Sequence, residues 1–212
     1  ELTEEEEKTG IDLNFGSIED DTVELKLAVS CVSVENAKLN LEEEAGGVDF
    51  DDVQKAALNE WDNRLSSIKI DADDEIKTVF YTGLYHSRIM PSDFTDVNGE
   101  YLGFDKQVHS ADGYTYRTDM SIWDTCRNVH SLYTLIAPDV QSDCLKSLVE
   151  MAKQGYGVLP RWPMGAGYTS SMIGDAANIM IAESYLKGFT DFDAEAALEF
   201  MKNSSDNEVE KD

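Results

Sequence analysis

The residues from Tyr116 to Arg127 (YRTDMSIWDTCR) set an aromatic ring beside a carboxylate, at Trp123 and Asp124. Such a pair could hold a sugar: the ring stacks on the apolar face of a pyranose while the carboxylate accepts two of its hydroxyls. The same residues also suit plain architecture, because capping and the helix dipole favour an Asp in a first turn, and a Trp beside it can fill a core. A second candidate is Leu159 to Pro163 (LPRWP), where two prolines stiffen the loop around Arg161 and Trp162. That loop fits a pocket wall and a structural plug equally well.

Other chemistries find little footing. Asp93, Asp96 and Asn98 look superficially like a calcium loop, but an EF-hand needs acids at alternate positions and a Glu at the twelfth, so the stretch reads as an Asx-turn loop. His86, His109 and His130 stand apart, with no HxxxH or HExxH, and no GxSxG, Walker loop or strand-to-helix GxGxxG is found. Cys31, Cys126 and Cys144 have no CxxC or metal spacing and read as three small buried thiols. Acids abound, so a paired-carboxylate reaction stays open without any pair being singled out.

The elements that must carry these residues are mostly helical. Residues 1–20 are acidic and lack an apolar period, as in a loop or frayed end. Val23 to Val29 alternates apolar and polar residues, which predicts a half-buried strand, and a lone strand needs partners from elsewhere. Glu35 to Glu44 reads as a helix broken by Gly46 and Gly47. Val53, Ala56, Ala57, Trp61 and Leu65 share one helical face, and Glu75 to Met90 makes another helix ending before Pro91. Residues 91–119 read as a long aromatic loop, of the kind that often carries function. Three further helical faces follow: Val129 to Ile136, stopped by Pro138; Leu145 to Ala152, with Gly155 beyond; and Ile173 to Ser184, closed by Lys187 and Gly188. Asp193 opens the next, with Ala194, Ala197, Leu198 and Met201 as its apolar side. Successive helices joined by aromatic loops predict a helical array or a barrel of helical hairpins, with too few helices here to close a double-layered barrel.

Composition agrees with a folded chain. The 212 residues are 42% hydrophobic and include 8 Phe, 9 Tyr and 3 Trp. With 17 Lys+Arg against 43 Asp+Glu the net charge is −26, which argues against nucleic acid and anionic membrane surfaces as partners. The apolar run Leu27 to Val32 is far too short to insert in a membrane, and the acidic start has neither the basic nor the apolar part of a leader.

Four blocks then carry a resemblance: FYTGLYHSRIMPSDFTDVNGEYLG (80–103), YRTDMSIWDTCRNVHSLYTLIAP (116–138), LPRWPMGAGYTSSMIGDAANIMIAESYLKG (159–188) and DFDAEAALEFM (191–201). In their order and spacing they are similar to glycoside hydrolase family 92, a family of calcium-dependent, inverting exo-α-mannosidases. Residues 28–44 and 50–70 resemble the family's passage from a β-sandwich into its helical domain, so the likeness runs over about residues 23–202. The resemblance implies a mainly α fold: part of an (α/α)6 barrel preceded by the terminal strand of a β-sandwich domain. It assigns residues 1–45 to the end of that sandwich, 46–70 to a linker helix and 71–212 to the first part of a truncated barrel.

By the same resemblance, Trp123 and Asp124 line the sugar pocket, with Asp124 holding hydroxyls of a terminal mannose, and Arg161 and Trp162 shape the cleft. It puts the family's general acid (a Glu-Gly-Asn-Ala-Trp-type block), its Asn-Glu-Pro block and its tandem aspartates downstream of residue 212, and its calcium ligands outside this chain. An inverting glycosidase needs an acid and a base roughly 6.5–9.5 Å apart. The expectation is therefore an internal, by itself inactive, fragment of an α-mannosidase, with α-1,2 linkages favoured and mannose-containing glycans as partners. Export to periplasm or cell surface is implied for the parent. The competing expectation is a non-catalytic carbohydrate-binding or interaction protein on the same helical scaffold.

Overall fold

A computed structural model describes residues 14–16 and 22–206 of the chain. Short polar side chains start four of its helices. Ser33 Oγ accepts the Asn36 N–H at the head of α1 (Val34–Ala45), Asp49 caps α2 (Phe50–Leu65), and Asp73 caps α3 (Asp74–His86). At the far end Asp193 accepts the Ala196 N–H to start α8 (Ala194–Asp206). Each cap satisfies an amide that the first helical turn leaves without a partner.

The stretch between α3 and the next helices carries more regular structure than the long aromatic loop expected from the sequence. It folds into two antiparallel pairs: β1 (Ser92–Asp93) with β4 (Arg117–Thr118), and β2 (Glu100–Leu102) with β3 (Val108–Ser110). Strands of two or three residues are too short to write a period-two pattern, so only their turn residues show in the sequence. A one-turn helix α4 (Ile122–Thr125) follows, then α5 (Val129–Ile136) and α6 (Pro138–Gln154). Pro138 both stops α5 and occupies the first turn of α6, where its missing N–H costs nothing. A small pair, β5 (Pro163–Met164) with β6 (Gly167–Tyr168), leads to α7 (Ala176–Leu186). The face anticipated from Ile173 begins three residues later, and Ile173 itself is 77% exposed.

The core gathers on α6. Leu145, Leu148, Val149, Met151 and Ala152 are buried against Tyr101, Tyr116, Tyr133, Met180 and Ile181. Tyr101 and Tyr116 stack with ring centroids 3.8 Å apart, and Gln154 donates to the Tyr101 hydroxyl at 2.9 Å. A polar thread crosses the same core. His130 Nδ1 lies 3.0 Å from Gln141 Oε1, Gln141 Nε2 donates to Ser184 Oγ at 2.9 Å, and Ser184 Oγ donates to the Met180 carbonyl at 2.8 Å.

Two sequence expectations are corrected. Residues 23–29 form no strand; the segment runs without ladder pairing and leaves Leu25, Leu27 and Val29 exposed. Alternation gives a segment the capacity for a sheet, but a ladder needs a second strand, and no other described segment pairs with it. Instead Lys26 Nζ donates to the carbonyls of Ala45 and Val48, folding the segment back on the end of α1. Of the three cysteines, Cys126 and Cys144 are buried as expected, whereas Cys31 is exposed, because the segment carrying it lies on the surface. Among the described residues no helix is long and apolar enough to cross a membrane.

Candidate functional site

Ile122, fully buried, anchors α4 and leaves its next two side chains directed away from the core. Trp123 is half-buried, with the Arg127 guanidinium 5.1 Å from its ring centroid, a cation–π distance. Asp124 is exposed; its backbone N–H donates to the Ser121 carbonyl at 2.9 Å, so the turn fixes its main chain while its carboxylate faces outward.

The second candidate loop is held from both sides. Pro160 and Pro163 are buried, and Leu159 N–H donates to Ser204 Oγ on α8 at 2.8 Å. Arg161 and Trp162 are half-buried between these anchors, and Thr169 Oγ1 donates to the Trp162 carbonyl at 2.8 Å.

One residue joins the two loops. Gly165 is gripped on both polar groups of its peptide backbone: Thr118 Oγ1 donates to its carbonyl at 2.7 Å, and its N–H donates to Asp119 Oδ1 at 3.1 Å. Gly165 and Asp119 both have left-handed backbones, with φ of 53° and 57°. Glycine takes this conformation freely, and Asp is among the few side-chain-bearing residues that tolerate it. Lys106 Nζ adds a bond to the Ala166 carbonyl, so the hairpin of β2 and β3 also supports this junction. Asp119 was legible only as part of a motif block; its role in fixing Gly165 depends on a contact between residues 46 apart, for which local sequence carries no signal.

Beside the junction, Asp119, Ser121, Thr125, His130 and Tyr133 help line a cavity of about 20 Å³. That is room for about one water and far too little for a pyranose. None of Trp123, Asp124, Arg161 and Trp162 lines it. Outside it, Asp124 is exposed and Trp123, Arg161 and Trp162 are half-buried. Burial lowers the affinity of His130 for a proton below its ordinary range, which leaves a neutral imidazole at the cavity wall.

Nearby, Arg117 donates from Nε and Nη2 to Asp143 Oδ2 at 3.2 and 3.1 Å, linking β4 to α6 directly behind the Thr118–Asp119 pair. Burial raises the Asp143 carboxyl above its usual range, and Arg117 opposes that shift. Among the described residues no group of three or more His, Cys, Asp or Glu side chains could hold a metal ion. The acidic pair Asp96 and Glu100 faces amide N–H donors from Asn36, which satisfy a carboxylate but repel a cation.

Comparison with known proteins extends this geometry. The family GH92 alpha-mannosidase BT3965 from Bacteroides thetaiotaomicron is similar over 85% of this chain, at 31% identity and a TM-score of 0.82. Its complex with mannoimidazole gives a TM-score of 0.81 at the same identity. The inverting mannosidase BT2199 from Bacteroides thetaiotaomicron VPI-5482 is similar over 86% of the chain, at 28% identity and a TM-score of 0.79. The chain spans about a quarter of the length of these relatives: 25%, 24% and 25%, respectively. Those structures give the short helices and hairpins described above their larger context, that of an (α/α)6 barrel domain. No match to a curated protein was found. The model of the glycosyl hydrolase family 92 catalytic domain matches residues 36–212, and the chain belongs to that family.

Proposed function

We propose that this chain is a segment of an inverting exo-α-mannosidase that removes terminal mannose from glycans, with α-1,2 linkages as its expected substrates. The observation that carries the reading is the family match over residues 36–212; Thr118 and Asp119, gripping Gly165, tie together the two stretches of chain in which the candidate pairs Trp123–Asp124 and Arg161–Trp162 lie. The mannoimidazole complex of a relative 31% identical to this chain supports a mannose-shaped ligand. A second relative is an inverting mannosidase, which supports single displacement.

In this reading Trp123 offers a stacking face, and Asp124 accepts hydrogen bonds from two hydroxyls of the terminal sugar. Arg161 and Trp162 bound the cleft, Arg161 as a fixed-charge donor and Trp162 as an apolar wall. Accurate placement of the sugar lowers the barrier by holding the anomeric carbon in line with groups supplied outside this segment. The general acid and base belong to those outside groups. So, by the family resemblance, do the ligands of its calcium. Residues 1–45 end a β-sandwich domain in this proposal, 46–70 link it to the barrel, and 71–212 begin the barrel. Export to the periplasm or cell surface belongs to the same reading.

The test is Asp124→Ala in the complete protein. Because Asp124 is exposed, the melting temperature should hold while kcat/KM on a terminal α-mannoside falls at least about tenfold, through contacts that strengthen in the transition state. An unchanged kcat/KM overturns the assignment, and sugar binding without any turnover by the complete wild-type protein would favour a binding protein instead.

A further inference from the structure

The way α1 is attached differs from every other long helix that touches the core. Its only buried residues are Asn36 and Asn40, one turn apart on the same face. Both reach Asp96, a carboxylate only 9% exposed. Asn36 Nδ2 donates to Asp96 Oδ2 at 2.8 Å and to Glu100 Oε2 at 2.8 Å, and Asn40 Nδ2 donates to Asp96 Oδ1 at 2.7 Å. Ser30 Oγ, from the segment before the helix, donates to Asp96 Oδ2 at 2.7 Å. Asn40 closes the circuit: its Oδ1 accepts the Val97 N–H at 3.0 Å, and its Nδ2 also donates to the Val29 carbonyl at 3.0 Å.

Residues 22–45 are therefore folded on themselves, through Lys26 to Ala45 and Asn40 to Val29, and fastened to the loop before β2 by one carboxylate. We infer that Asp96 is a polar latch: with Ser30, Asn36 and Asn40 it docks residues 22–45 as a single arm, and α1 keeps its helix only while that latch is closed. A helix of 12 residues is marginal in water unless tertiary contacts hold it. Those contacts here are hydrogen bonds to a charged group, which are strong when complete and leave a costly buried charge when broken.

The latch is independent of the mannosidase reading, because its readouts need no substrate.

Native-state hydrogen exchange on the chain tests it. Asn40→Ala keeps the Asp96 charge and removes one of its three side-chain donors, together with the bonds to Val29 and Val97. The amides of α1 should then exchange at least about tenfold faster while those of Leu145, Leu148 and Val149 on α6 keep their protection. Asp96→Asn, of the same shape but no longer able to accept from three donors, should accelerate α1 exchange as well. Unchanged α1 protection in both variants would overturn the latch. Loss of protection by α1 and α6 together would overturn it too, because the node would then be part of the global core.

Discussion

Helices α2 and α6 are nearly the same length, 16 and 17 residues, and both carry an apolar stripe at helical spacing. Yet α6 buries nine residues and α2 buries none, with Phe50 65% and Leu58 61% exposed. The caps are not the cause. Asp49 caps α2 with a side-chain hydrogen bond, whereas Ala137 before α6 makes none. Local chemistry thus decides where a helix starts, and packing decides what it stabilises. The molecule divides accordingly into a body built around α6 and an outer part, α1 and α2, held by polar contacts and by rings such as Trp61 against Tyr85.

The sharpest way to break this contrast is to remove equal volumes from both parts. Leu148→Ala, at a fully buried site, should cost about 2–5 kcal/mol, whereas Leu58→Ala should stay within about 0.5 kcal/mol. Urea midpoints at constant m would read the difference, and equal shifts would abolish the division. A smaller effect is expected from Ser33→Ala, which removes the cap of α1 at a cost of about 1 kcal/mol to that helix. Hydrogen exchange should show the loss in α1 alone; a matching loss in α6 would mean that the two parts unfold as one unit.

Acidification is the gentlest probe and acts on the body. Burial depresses the folded-state proton affinity of His130 below its ordinary value of 6.5, so the unfolded chain takes up the proton first. This contribution is constant above about pH 6.5 and falls as pH drops from there toward the lower folded value. His130→Gln should remove that slope from the pH dependence of the melting temperature between about pH 7 and 5. A slope of the same size in the variant would exclude His130 as its source.

The helices were legible because their apolar residues recur every three or four positions and because Pro91, Pro138 and Gly155 mark their ends. The strand expected over 23–29 was not, since alternation states a capacity for pairing while pairing itself depends on a neighbour. Asn36 and Asn40 carry no apolar signal within the expected helix over Glu35–Glu44; only the fold, which brings Asp96 against them, makes them interior. For the candidate site, sequence singled out Trp123–Asp124 and Arg161–Trp162 by residue type, as candidates only. What could not be read was Gly165 as their shared fastening, since a glycine carries no side chain to advertise a contact.

The thread through His130, Gln141 and Ser184 has a direction. Ser184 spends its single hydroxyl proton on the Met180 carbonyl, so it can only accept from Gln141, which turns the amide nitrogen of Gln141 toward it. The amide oxygen must then face His130, and only a protonated Nδ1 can meet it. Two side chains and a backbone carbonyl thereby select one tautomer of a neutral imidazole, with Nε2 left as the lone-pair end. An incoming proton has a single place to bind, and when it does the internal bonds keep their sense; the charge is added to the ring without reversing the wire behind it.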